Sequence, residues 1–154
     1  MRLRVPRVFF RKLAKLAEVV WELPQTSLGA LTFGAVLAAR QVTQARTARG
    51  RVFVKTSMGL GVSLGHFVFY SEKDSPFVPV GPENADHEYG HARQSRRFGP
   101  AYLPLVGLPS VMRVVYAIGH RMVLGRRWAG YYRGYPERQA DKLGGVDRTH
   151  RPVP

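Results

Sequence analysis

The sequence predicts an α+β fold: mostly helical, with one β-hairpin or small sheet packed against a central helix. Three observations lead there. Residues 51–70 hold two β-branched, alternating runs around a glycine-rich turn, while much of the rest shows helical periodicity. The 154 residues are 45% hydrophobic, enough for one core and too short for two full domains. No internal repeat is present.

The elements follow in order. Residues 8–20 set Val8, Phe9, Leu13, Leu16, Ala17 and Val20 among basic residues, the pattern of an amphipathic helix. Pro24 ends it near Trp21-Glu22-Leu23, because the residue before a proline avoids helix. Thr26 or Ser27 can cap a second helix reaching about Arg40, and the polar, basic residues 41–50 read as a loop. Arg51–Ser57 is a strand, Met58–Gly61 a turn, and Val62–Tyr70 the partner strand of a hairpin. Residues 71–82 are loop. Asn84 or a neighbour caps a helix that runs to Phe98, where Gly99 and Pro100 stop it. Gly107-Leu108-Pro109-Ser110 reads as a turn, with Ser110 as N-cap of a helix to Leu124 rather than a nucleophile. Residues 125–134 are turn and loop, with Trp21 and Trp128 as core or interface aromatics. Tyr135–Leu143 is a short helix with Pro136 in its first turn and Gly144-Gly145 after it. The chain thus divides into a basic helical region at 1–50, a core at 51–146 and a basic tail at 147–154.

Charge bounds the function classes. Lys and Arg number 24 against 10 Asp and Glu, giving +14, and 19 of the 24 are Arg. Arginine stays charged and makes forked contacts to carboxylate or phosphate, so a polyanion or an anionic membrane surface is a first reading. Nucleic acid is not favoured: no zinc-finger or RNA-binding signature appears, and Gly59 and Gly61 lack the Lys-Ser/Thr of a phosphate loop. There is no cysteine, so any metal must be held by His and carboxylate. Arg7, Arg11, Lys12 and Lys15 interrupt the N-terminal apolar run, so no signal peptide is expected. Ser27–Ala39 is about 13 residues, short of the ~20 that span a bilayer. Leu103–Leu124 is broken by Arg113, His120 and Arg121. Neither reads as a clean transmembrane helix; each reads as a core helix or a surface-embedded segment. The basic residues at 2–15 favour an anionic membrane surface in the second case, so the expected location is the cytoplasm or a membrane surface.

The acids are not spread evenly. Glu72, Asp74, Glu83, Asp86 and Glu88 are five of the ten, gathered within residues 72–88. There His87-Glu88-Tyr89-Gly90-His91 has the form H-E-x-x-H. On a helix, His87 and His91 stack on one face and can hold one Zn2+, with Glu88 placed to reach a metal-bound water. A catalytic zinc takes three protein ligands and keeps one position open. His120, His66 and the downstream carboxylates Glu137, Asp141 and Asp147 are the candidates for the third. Glu137 and Asp141 share a helix face in E-x-x-A-D, so one can ligate while the other orients a histidine.

H-E-x-x-H followed by E-x-x-A-D resembles the gluzincin metallopeptidases, above all the group with the bacterial heat-shock membrane peptidase and the CAAX prenyl protease. The stretch HEYGHARQSRRFGPAYLPLVGLPS is also similar to small bacterial zincin-like domains, some at the ends of large Rhs-type proteins. The resemblance implies a minimal zincin-like fold, Glu137 as third zinc ligand, Asp141 behind a ligand histidine, and hydrolysis of a peptide or protein substrate with Glu88 as general base. Tyr131, Tyr132, Tyr135, His120 and Arg126 are candidates to stabilise the oxyanion. An extended substrate could pair with the edge of strand Val62–Tyr70. The sequence departs from the membrane peptidases in lacking several clear transmembrane helices, and from metzincins in lacking the H-x-x-G-x-x-H extension. The alternative is a basic binding module for a membrane surface or nucleic acid, zinc-bearing or metal-free, without catalysis.

Overall fold

The computed structural model describes residues 15–148 and has an α+β architecture. Residues 15–21 are helical (α1) and lead through Glu22 into α2, Leu23–Ala38. The rest of the expected first helix and most of the basic tail lie outside the described residues. Pro24 sits in the first turn of α2, where its missing N–H is no loss, so the second helix starts earlier than a cap at Thr26 predicts. Thr26 Oγ1 instead accepts the backbone N–H of His66.

Four strands follow: β1 Val42–Ala48, β2 Arg51–Thr56, β3 Val62–Leu64 and β4 Phe67–Tyr70. They lie in the order β1-β2-β4-β3. Two expectations are corrected here. Residues 42–48 are not loop: β1 pairs antiparallel with β2 across the two-residue turn Arg49-Gly50, whose φ values of 52° and 74° suit a type I′ hairpin. Its side chains are almost all exposed, so no apolar alternation marks it. Nor do the two apolar runs pair as one hairpin: β2 runs parallel to β4, and β3 folds back on β4 around Gly65-His66. The boundary expected at residue 50 therefore cuts a hairpin turn.

Strand alternation sorts the core into two faces. Val54, Leu64 and Phe69 pack with Val36 of α2. Phe53, Val68 and Tyr70 pack with Ala92 of α3, Asn84–Phe98. The sheet thus lies between α2 and α3, as expected for a sheet on the H-E-x-x-H helix. The other face of α3 packs against α5, Glu137–Gly144, and the approach is close: a Cβ at Gly90 would collide with the carbonyl oxygen of Ala140. A third cluster joins Val78 and Val80 of the long loop to Ala117 of α4 and Tyr131.

A polar network seats the N-terminal helices on this core. Glu22 is fully buried; Oε2 accepts Arg51 Nη1 at 2.6 Å and Oε1 accepts the Ser95 hydroxyl at 2.6 Å. Arg51 also meets Glu18, at 3.2 Å.

A short 3₁₀ turn at Gly99–Ala101 and a π-helical turn at Leu103–Gly107 run straight into α4, Leu108–Leu124. Ser110 therefore lies inside a helix rather than at its cap. The continuous helix Leu103–Leu124 spans 22 residues at mean hydropathy 1.3, long and apolar enough to cross a membrane by length and composition. Its polar residues do not break it as expected. Arg113 turns back to donate to the carbonyls of Gly130 and Tyr131 and lies over Trp128, 4.7 Å from the ring centre. His120 and Arg121 bond to the carbonyls of Arg126 and Gly125.

Candidate metal centre

The spacing of α3 puts His87 and His91 one turn apart, facing α5, with ring centres 4.8 Å apart. Glu137 at the start of α5 points between them. Its Oε2 lies 3.0 Å from His87 Nε2 and 3.1 Å from His91 Nε2. All three residues are buried and offer one ligand atom each within 4.8 Å of one another.

The outer ring nitrogens settle what those inner ones carry. His87 Nδ1 lies 2.7 Å from Asp141 Oδ1, an acceptor. His91 Nδ1 lies 2.7 Å from Gln94 Oε1. Gln94 is oriented by its own amide, which donates to the Pro136 carbonyl and to Gln139 Oε1. Both Nδ1 atoms therefore donate, and in neutral rings both Nε2 lone pairs face the Glu137 carboxylate. Three acceptors at this spacing require a positive charge among them. Without metal a proton can supply it: burial opposes charge on His87, but the hydrogen bonds to Asp141 and Glu137 outweigh it and lift its pKa to about 9. Burial likewise raises Glu137 and Asp141, and their hydrogen bonds, from His87 and His91 to Glu137 and from His87 and Arg148 to Asp141, hold both below the usual carboxylate range. The same field suits a divalent cation, and two imidazoles with one carboxylate oxygen are a donor set that zinc accepts.

Glu88 lies beside this cluster. It is buried, its Oε2 has no hydrogen-bond partner, and burial raises its pKa against the opposing pull of His91 and His87. Gly61 makes room for it, since a Cβ there would strike the carboxyl group. Ser63 of β3 ties the helix to the sheet at this level by donating to the Glu88 carbonyl at 2.5 Å.

Of the other expected residues, Asp141 lies against the outer nitrogen of His87. His66 and His120 do not join the cluster: His66 is in the β3–β4 turn beside Arg51, and His120 bonds to Arg126 at the end of α4. Asp147 is not among the three. Tyr132 stands edge-on to His87, with ring centres 5.1 Å apart, but its hydroxyl donates to Pro79. Tyr135 donates to Leu105 and is half exposed. Tyr131 is buried; burial, then Glu137, Tyr132 and Glu88, keep its phenol protonated. The edge expected to receive substrate is partly taken, because β3 is three residues long and its Ser63 carbonyl accepts the Tyr102 hydroxyl.

Three residues that the sequence reading did not place at the centre complete it. Ser110 of α4 donates to Glu137 Oε1 at 2.6 Å, which leaves Oε2 as the oxygen facing the histidines. Gln94 orients His91; its place three residues on, on the same helix face, was a readable signal. Arg148 holds both oxygens of Asp141, at 2.8 and 3.0 Å, and stacks on Tyr132. No family model, curated protein or solved structure matches the chain.

Proposed function

We propose that this chain is a zinc-dependent hydrolase of the metallopeptidase type, similar to the gluzincins. One observation carries the reading: two imidazole Nε2 atoms and one carboxylate oxygen converge, each histidine is fixed in its tautomer, and a buried glutamate with an unpartnered oxygen adjoins them.

His87, His91 and Glu137 would hold the ion. Zinc in such a site acts as a Lewis acid that acidifies water and polarises a scissile carbonyl. The chain's own groups do the rest. Glu88 takes the proton of the attacking water and delivers it to the leaving amine. Its burial with Oε2 unpartnered leaves a carboxylate oxygen available for that proton. Asp141 and Gln94 keep the imidazoles aimed, and Ser110 keeps Glu137 aimed. Tyr131, buried and edge-on to Tyr132, which itself stands edge-on to His87, is the favoured donor to a developing oxyanion.

Metal analysis and a peptide-cleavage screen on wild type and Glu88→Gln test the proposal. About one zinc per chain is expected in both, with cleavage lost by roughly 10²- to 10⁴-fold in the variant. Purified protein without stoichiometric metal, or undiminished cleavage by Glu88→Gln, would refute it. Zinc in both proteins with no cleavage by wild type would favour a metal-bearing binding module.

A further inference from the structure

Apart from Tyr116, which packs edge-on against Trp128, the face of α4 turned away from the metal centre has no partner among the described residues. Leu108, Val111, Met112, Val115, Met122 and Val123 on it are all exposed. At about 100° per residue they fall in one arc of about 140°, which also takes in Tyr116 and Gly119 and contains no Lys, Arg, Asp or Glu. Only 11% of the apolar window is buried.

We infer that this face of α4 docks into the surface of an anionic lipid membrane, with the helix lying along the interface rather than across it. Two observations select that occupant. The first is charge complementarity. The arc holds no acidic residue, Trp128 stands at its edge with its ring centre 4.6 Å from that of Tyr116, and the exposed Arg126 follows just beyond the helix end, a basic and aromatic border of the kind that sits at headgroup level. The second concerns a second copy of the chain. A paired-helix seam is a narrow stripe flanked by charges that set the partner, whereas here the flanking positions 109, 111, 116, 118 and 123 are Pro, Val, Tyr, Ile and Val. Two chains of +14 would also repel each other. The helix stays along the surface because its opposite side is committed to protein: Ser110 bonds Glu137, Arg113 bonds Gly130 and Tyr131, and Ala117 is fully buried. The inference does not depend on zinc or on catalysis.

Sedimentation with vesicles of neutral phosphatidylcholine, with and without 30% phosphatidylglycerol, tests it on the full chain and on Met112→Glu/Val115→Glu. Those positions are 64% and 63% exposed, so the double variant should fold, which circular dichroism checks. Wild type is expected to partition into the anionic vesicles at least about tenfold more strongly than the variant, and more strongly than into neutral ones. Val123→Glu, at a position 81% exposed near the other end, should weaken binding in the same direction. Absence of wild-type binding, or equal binding of wild type and both variants, overturns the inference; the latter would put the contact elsewhere on the basic surface. Equal partition into neutral vesicles overturns the anionic class of the surface. A wild-type dimer in light scattering that Met112→Glu/Val115→Glu abolishes overturns it in favour of a second copy.

Discussion

Removing one hydroxyl from α4 should weaken binding of the proposed metal without disturbing the fold. Ser110 Oγ donates to Glu137 Oε1 at 2.6 Å, within the 2.5–2.7 Å range of an O–H bond to a charged oxygen. Such a bond contributes about 1.5–3 kcal/mol. If all of it served to keep Oε2 between the imidazoles, its loss would weaken metal affinity by roughly 10- to 150-fold at about 1.4 kcal/mol per tenfold. Outer partners of metal ligands typically change affinity by about 10- to 100-fold. The ranges overlap near 30-fold, about 2 kcal/mol, which is the value expected for Ser110→Ala. Competition for Zn2+ against a chromophoric chelator at fixed pH and salt measures it. Urea unfolding of the metal-free proteins separates affinity from stability, and Ser110→Thr, which keeps a hydroxyl, should stay near wild type. Affinity of Ser110→Ala within about twofold of wild type would show that Glu137 is positioned by something else.

Gly90→Ala puts a methyl against the Ala140 backbone, so α5 must shift; a loss of about 2 kcal/mol in urea unfolding together with weaker metal binding is expected. Loss of stability with full metal affinity would argue that α5 moves without moving Glu137. Glu22→Ala leaves the guanidinium of Arg51 buried with Glu18 as its one remaining ion-pair partner, and should destabilise by about 3 kcal/mol; a change below about 1 kcal/mol would mean water reaches that site. Burial raises the phenol pKa of Tyr102 and Tyr131, so the folded state holds their protons more tightly than the unfolded one. Their contribution to stability is complete below the ordinary tyrosine value of about 10 and falls as pH rises past it. Absorbance at 295 nm should show them ionising only together with unfolding, and early, gradual ionisation of all seven tyrosines would contradict that.

The centre was legible to different depths. His87, Glu88 and His91 are readable because a helix fixes i and i+4 on one face, and Glu137 and Asp141 are readable for the same reason on α5. That these two faces meet depends on Gly90, whose missing side chain gives no sign in the sequence of how near Ala140 will come. Ser110 was misread because Pro109 beside it looks like a helix start, whereas the π turn before it carries the helix through. The sheet was harder. Strand β1 owes its state to hydrogen bonds with β2, not to burial of its own side chains, so its pattern is that of a loop. The parallel pairing of β2 with β4 is non-local, and two neighbouring apolar runs look the same whether they pair antiparallel as a hairpin or the second folds back on itself and pairs in parallel with the first.

The ion pairs at the two ends of the described chain set the limits of excision. Glu18 and Glu22 reach forward to Arg51, and Arg148 reaches back to Asp141 and Glu83. A fragment cut to residues 51–146 would keep every proposed ligand yet lose the acids that neutralise a buried arginine and the arginine that clamps the carboxylate behind His87. The smallest transplantable unit is therefore about residues 18–148, and grafting H-E-x-x-H with E-x-x-A-D alone would move the letters of the centre without its supports.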